Sequence, residues 1–362
     1  MDAGGVERVR LILANEFKEF GFEVEYALLN AKGQLLDIAS KKHKIHDLKI
    51  NKIRFLPFKL SKLLREVKPD AVLASIWPVT VYSVLGVLLS RVSCKLVLSE
   101  HNHLSTQYKD KGLFHNILMR ASMFFCYRFA TRVVAVSSGV KLDLQKLSFL
   151  SHKNFEVIFN PISPLKKPNS KKINKVKEFW NGSSEKRIIS VGSLKKQKNH
   201  SFLIDAFAYV NVAIPSKLMI IGDGEEKKTL EKKVKNLNLE NQVIFAGFQK
   251  DIDPFYQTAD LFVLSSDYEG FGNVLLEALL HGLNIVSTNC NSGPAEILSN
   301  GQFGKLVPVN DIQALSYEII EVLNGDSIDK KILQNRAHDF HPSKIAKQYL
   351  ALLFPTHEYI KK

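Results

Sequence analysis

Two glutamates, Glu269 and Glu277, flank a glycine-bearing turn in the segment Ser266-Asp267-Tyr268-Glu269-Gly270-Phe271-Gly272-Asn273-Val274-Leu275-Leu276-Glu277. The apolar run Ala259 to Leu264 ahead of it reads as a buried strand, and Val274, Leu275, Ala278 and Leu279 behind it recur at helical spacing. In an open α/β sheet, ligands bind outside the carboxyl ends of the strands, where helix N-termini point at them. Eight residues at about 100° each place the second carboxylate within roughly a quarter-turn of the first. Two acids facing one pocket beside a helix N-terminus suit a ligand that carries both hydroxyls and phosphates. The helix macrodipole alone also favours an acid in a first turn. It is the pair, in its strand–turn–helix setting, that points to a ligand.

Other segments hold residues of matching chemistry. Gly192-Ser193-Leu194-Lys195-Lys196-Gln197-Lys198-Asn199 carries a strand into a lysine-bearing loop with a helix behind it, and lysine is a compact cation suited to phosphate oxygens. Gly222-Asp223-Gly224-Glu225 ends another strand, where a tight turn and a ligand contact fit equally. His101, in Ser99-Glu100-His101-Asn102, ends a strand of the first half, although a lone histidine is more often structural. Ser137-Ser138-Gly139 reads as a helix N-cap. Asn291-Ser292-Gly293-Pro294-Ala295-Glu296 sets a turn that exposes backbone N–H groups.

These residues must be positioned by about two domains, since 362 residues exceed one ordinary core. An apolar content of 45% excludes a disordered chain. Cys94, Cys126 and Cys290 lie too far apart for a zinc site or a disulfide framework, which fits a reducing compartment and a cytoplasmic setting. No apolar signal segment opens the chain. Ala71 to Ser90 is uncharged and reaches the ~20 residues of a membrane span, but Pro78 divides it and a strand plus a buried helix reads better. The formal charge is +14, of which residues 1–165 hold +10. Within 41–68, ten basic residues face two acids, interleaved with Ile53, Phe55, Leu56, Phe58, Leu60, Leu63 and Leu64. Peripheral contact with an anionic membrane and plain solvation both fit that stretch. No nucleic-acid-binding signature accompanies it, so nucleic acid is set aside.

Strands alternate with helices throughout, which implies parallel, doubly wound sheets. Expected strands of the first half are Glu23 to Leu29, Ala71 to Trp77, Lys95 to Glu100, Arg132 to Val136 and Phe155 to Phe159, behind a helix from Val6 to Phe20. The second half carries Ile188 to Val191, Leu218 to Ile221, Val243 to Phe245, Ala259 to Leu264 and Asn284 to Ser287, with a charged helix from Glu225 to Leu237. The expected layout is an N-terminal Rossmann-like domain over 1–162, a linker over 163–186 and a second Rossmann-like domain over 187–338, with a cleft between the domains. A C-terminal helix within 339–362 is expected to pack back on the first domain. Gly4-Gly5 before a helix resembles a phosphate-approaching turn, yet only Met1-Asp2-Ala3 precede it. The first strand of the N-terminal domain is therefore expected to be missing, either supplied by an upstream reading frame or lost from the fold.

Gly4-Gly5-Val6-Glu7-Arg8, Lys68-Pro69-Asp70, Ser99-Glu100-His101-Asn102, Val136-Ser137, Asn160-Pro161, Val191-Gly192 to Lys198-Asn199, Gly222-Asp223-Gly224 and Glu269 to Glu277 occur in that order. Together they resemble the retaining glycosyltransferases of family 4, of the GT-B fold, over almost the whole chain. Ser292 to Glu296 is similar to a subset of bacterial surface-polysaccharide enzymes. The resemblance implies transfer of a hexose or N-acetylhexosamine from a nucleotide sugar, UDP favoured over GDP, to a glycan or lipid-linked acceptor at the inner face of the cytoplasmic membrane. It implies that Glu269 holds donor-sugar hydroxyls with the amides of Gly270, Phe271, Gly272 and Asn273, and that Glu277 binds the ribose. Lys198 would neutralise the pyrophosphate beside Gly192, His101 would touch the donor sugar, and Gly4 and Gly5 would allow close backbone approach. No metal or other cofactor is expected. Ser193 stands where the family usually has arginine, which leaves Lys195 or Lys196 as the second cation. A degenerate nucleotide-sugar-binding protein and a UDP-GlcNAc epimerase-like enzyme are the alternatives.

Overall fold

A computed structural model describes residues 4–150, 155–165, 169–180 and 185–354. It divides into two units, Met1–Ser163 with Phe340–Lys362, and Pro164–Asp339. Both are α/β units built on parallel strands.

Unit 1 contains β1 (Glu25–Leu28), β2 (Lys44–Asp47), β3 (Ala71–Ser75), β4 (Lys95–Glu100), β5 (Arg132–Ala135) and β6 (Phe155–Val157). Its described residues form two sheets: β1 pairs with β2, and β3 to β6 run in order as a four-stranded sheet. The uncharged stretch from Ala71 resolves into β3 and the helix Val79–Ser90, and among the described residues no helix is long and apolar enough to cross a membrane. The helix Gly5–Glu19 buries Val9, Leu13 and Phe17 against Val97 of β4 and Val134 of β5. Ile345, Tyr349 and Leu353 of the helix Pro342–Leu353 complete the same core. The rest of the expected C-terminal segment, 355–362, lies outside the described residues, as do Met1 to Ala3.

The apolar residues of the basic stretch 41–68 divide between core and surface. Leu56, Leu60 and Leu64 recur at i, i+4 and are buried, while Phe55 and Phe58 stand exposed. Most of that stretch's apolar pattern is therefore packing of the helix Leu56–Val67 against its neighbours.

Unit 2 contains β7 (Lys186–Val191), β8 (Ser216–Ile221), β9 (Val243–Gly247), β10 (Leu261–Leu264), β11 (Asn284–Thr288) and β12 (Lys305–Val307), in the order β12-β11-β10-β7-β8-β9. The chain winds outward from β7 in one direction and then from β10 in the other, so a topological switch point falls between β7 and β10. All four residues of β10 are buried, which is why the strand reads as a continuous apolar run.

Three features differ from the sequence reading. The segment 163–186, expected as a linker, carries the helix Ser170–Phe179. Asn169 caps it by accepting from the Lys172 N–H, and Val176 and Trp180, four residues apart, are buried. Its lysine-rich outer face hid that two-residue stripe; Lys166 to Pro168 lie outside the described residues. β2 and β12 were not expected, because Lys44–Asp47 holds a single apolar residue and Lys305–Val307 is only three residues long. The charged helix runs Lys227–Asn236, since Glu225 and Glu226 belong to the preceding turn.

Candidate active site

The loops that leave β7 and β10 lie beside each other because the strands pair in register, Ile188 with Leu261 and Ile189 with Phe262. After β7 the chain passes Gly192 and the turn Lys196–Lys198 into the helix His200–Ala213. After β10 it passes Ser265 to Gly272 into the helix Asn273–His281. Side chains and backbone stitch the two loops together. Ser265 Oγ donates to the Lys198 carbonyl at 2.8 Å, Gln197 Nε2 to the Tyr268 carbonyl at 2.9 Å, and Asn199 Nδ2 to Asp267 Oδ1 at 2.7 Å. The Asp267 N–H donates to the Gln197 carbonyl at 2.9 Å.

Within this seam Lys198 Nζ donates to Glu269 Oε1 at 2.5 Å, and Ser266 Oγ donates to the same oxygen at 2.6 Å. The side chains are 17% and 7% exposed, so the pair is largely withdrawn from water yet keeps an opening at the lysine. Cys290 lies near the carboxylate; burial first, then the Glu269 charge, push its thiol up to about 12, so it stays protonated.

Glycines set how closely the backbones approach. A Cβ on Gly222 would fall 1.9 Å from the Gly192 carbonyl oxygen, and one on Gly293 1.8 Å from that of Phe271. Gly293 has φ +93° as well, so the turn bearing Gly270, Phe271 and Gly272 rests directly on the Gly293 backbone. Gly272, at φ +96°, opens the helix at Asn273. Ser193, Lys195 and Lys196 are exposed on the lysine loop.

Glu277 lies on the helix and accepts from Tyr256 Oη at 2.9 Å. Tyr256 is buried and stacks on His281, ring centroids 5.2 Å apart. Glu269 precedes the helix, so the eight-step helical count from one glutamate to the other does not describe them. They belong to one strand–turn–helix unit, but their orientations are set by different partners.

The remaining expected site residues are in unit 1. His101 follows β4 and is buried. Arg10 Nη2 lies 3.0 Å from its Nε2, and a guanidinium can only donate, so Nε2 accepts and the ring proton belongs on Nδ1, with Asn160 beside the ring. Burial, then the Arg10 charge, hold this imidazole well below its usual range, so it is a neutral hydrogen-bonding group. Gly4 and Gly5 are exposed at the start of the helix Gly5–Glu19. Ser137 accepts from the Val140 N–H at 3.2 Å, the capping role read from the sequence.

Sequence reasoning missed Arg10, Ser266 and Tyr256. An arginine among the apolar positions of the first helix was a signal for Arg10. Ser266 lies only three residues before the Glu269 it donates to, inside the segment already singled out, whereas Tyr256 acts on Glu277 from 21 residues away, of which local pattern carries no trace. Among the described residues no group of three or more His, Cys, Asp or Glu side chains is placed to hold a metal ion.

Two α/β units on parallel sheets in one chain, with a lysine loop at the switch point of the second, match the GT-B fold. The comparisons agree. The model described as Glycosyltransferase Family 4 matches residues 3–164, and that described as Glycosyl transferases group 1 matches 171–339. An uncharacterized glycosyltransferase of Methanocaldococcus jannaschii is 33% identical over 343 residues, covering 82% of each chain. The N-acetylgalactosamine-N,N'-diacetylbacillosaminyl-diphospho-undecaprenol 4-alpha-N-acetylgalactosaminyltransferase of Campylobacter jejuni is 29% identical, covering 98% of this chain and 97% of its own. Among solved structures, Anabaena HepE in complex with UDP superposes with a TM-score of 0.82 at 23% identity, covering 97% of this chain and 96% of that one. This chain belongs to the glycosyltransferases and is an enzyme of that class.

Proposed function

We propose that the chain is a retaining glycosyltransferase that moves a hexose or N-acetylhexosamine from a UDP-sugar to a glycan or lipid-linked acceptor during cell-surface polysaccharide synthesis in the cytoplasm. The observation that carries this reading is the Lys198–Glu269 pair, seated where the strand order of unit 2 reverses. An ammonium has three donors, so Lys198 can turn part of its hydrogen bonding to a pyrophosphate while Glu269 accepts from sugar hydroxyls. Glu277, aimed by Tyr256, is suited to the two ribose hydroxyls. The relative from Campylobacter jejuni is named for a diphospho-undecaprenol acceptor, and HepE was solved with UDP, which supports the acceptor class and the nucleotide.

As the bond from the anomeric carbon to the diphosphate oxygen breaks, negative charge develops on that oxygen. Lys198 and the N–H groups at Gly270 to Asn273 meet that charge with donors fixed in advance, a role that requires no metal. Attack by the acceptor hydroxyl on the same face retains configuration, and its proton passes to the departing phosphate. Glu269 orients the sugar, and His101 in unit 1 stays neutral. The test is a panel of UDP- and GDP-sugars with purified enzyme. Release of nucleoside diphosphate only with acceptor supports transfer, an epimer formed without acceptor supports the epimerase alternative, and tight UDP binding without turnover supports a degenerate site.

A further inference from the structure

The helix Leu113–Cys126 buries Met119, Met123 and Cys126 on one side. At about 100° per residue, Leu113, Phe114, Ile117, Leu118 and Phe125 fall within an arc of roughly 140° on the other. That second apolar stripe is exposed, Leu113 by 78% and Phe114 by 81%. A surface helix normally carries a single apolar stripe, facing its core. Its neighbour Val79–Ser90 contains no charged residue and leaves Leu85, Leu88 and Leu89 exposed at i, i+3 and i+4. The helix Leu56–Val67, which packs against Val79–Ser90, adds exposed Phe58, with exposed Phe55 on the turn just before it. Apolar exposure on this scale marks an interaction surface rather than scattered surface residues.

The charges around it are mostly positive. Residues 104–130 hold Lys109, Lys111, Arg120 and Arg128 against the single acid Asp110. Arg120 lies over the Phe149 ring at 5.5 Å and Arg128 over Phe124 at 4.4 Å, so both guanidiniums sit at the edge of apolar surface. Exposed Arg54, Lys59 and Lys62 extend the rim beside Phe55 and Phe58. Two copies meeting through this face would bring like charges together, which argues against a dimer. Side chains standing this far out suit a fluid partner, which accepts them without a shaped groove.

We propose that this face seats unit 1 on an anionic phospholipid surface, the apolar stripe entering the acyl boundary and the Lys and Arg rim meeting headgroup phosphates. The docking helix is Leu113–Cys126, whereas the basic stretch 41–68 contributes only its exposed edge. The inference rests on the fold of unit 1 and not on the reaction proposed above, so the two can fail separately.

The full chain is floated with phosphatidylcholine vesicles with and without phosphatidylglycerol. Binding is expected to be about ten-fold stronger to the anionic vesicles and to weaken in about 0.5 M salt. Phe114→Glu combined with Ile117→Glu should lower binding about ten-fold or more while leaving the melting temperature and turnover on a soluble acceptor unchanged. Arg120→Glu with Arg128→Glu should erase the preference for anionic lipid. Absence of wild-type binding to anionic vesicles, or equal binding by the Phe114/Ile117 variant, overturns the proposal. So does a concentration-dependent dimer that Phe114→Glu dissolves in a protein indifferent to vesicles.

Discussion

Replacing Lys198 by Met keeps the length and volume of the side chain and removes its charge, leaving Glu269 facing an apolar group. Breaking a buried ion pair by removing one partner costs about 3–5 kcal/mol. The low end applies, because Ser266 still donates to Glu269 and the lysine is 17% exposed. A loss of about 3 kcal/mol in a domain the size of unit 2 lowers its melting temperature by about 6–12 °C. Glu269→Gln keeps the Ser266 contact and removes the charge, for a loss of about 2 kcal/mol. The double variant has no unpaired charge, so its loss should fall short of the sum by about 2 kcal/mol. Turnover should behave differently. Each single variant should lose about 100-fold or more in kcat/KM with a UDP-sugar, as when one preorganised electrostatic group is deleted, and the double variant should be no less stable than Lys198→Met alone yet regain no turnover. Thermal unfolding and nucleoside-diphosphate release on the four proteins provide both readouts. Additivity of the stability losses to within about 0.5 kcal/mol would refute the coupling, and undiminished turnover in either single variant would refute the site.

Three further outcomes follow from particular contacts. Gly293→Ala drives a Cβ into the Phe271 carbonyl and should destabilise by about 2–3 kcal/mol with loss of activity, whereas Gly325→Ala, at φ +122° with nothing within 4 Å, should cost about 1 kcal/mol and leave turnover intact; equal losses would show that the close approach is unimportant. Burial first, then the Lys198 charge, lower the pKa of His200 from 6.5 to about 4, so its contribution is present above 6.5 and lost as pH falls through about 4, whereas buried Glu100, raised to about 6, contributes below 4.5 and loses that as pH rises through about 6. His200→Gln should therefore flatten denaturant stability between pH 7 and 4 by about 3 kcal/mol, and an unchanged pH profile would contradict this. Tyr256→Phe removes the hydroxyl donating to Glu277 and should weaken UDP affinity about three- to ten-fold by calorimetry, with about 1 kcal/mol lost in stability; unchanged affinity would separate Glu277 from the nucleotide.

The sequence exposed the fold wherever strands were long and fully buried. Leu218 to Ile221 and Leu261 to Leu264 are apolar runs, and both lie in core strands of unit 2. It failed where an element is short or buries few residues, as in β12 or the helix Ser170–Phe179. Of the candidate site, residue types at strand ends were legible, because a lysine loop and a Glu-Gly turn are local patterns. The pairing of Lys198 with Glu269 depends on which strands neighbour each other, and the order β12-β11-β10-β7-β8-β9 is not written in any one segment. The neutrality of His101 depends likewise on tertiary structure, first on its burial and then on Arg10, 91 residues away.

The same strand order has a consequence for synthesis on the ribosome. β7, β8 and β9 can pair as soon as they emerge, but the other edge of β7 has no neighbour until β10 has been made. Through that interval the hydrogen-bonding edge of a future central strand is open to pairing with another chain. Because Lys198 and Glu269 lie 71 residues apart and meet only across that edge, their pair cannot form until β10 and the turn after it have been made. A nascent chain stalled before β10 would present a soundly paired three-stranded sheet that is both inactive and adhesive.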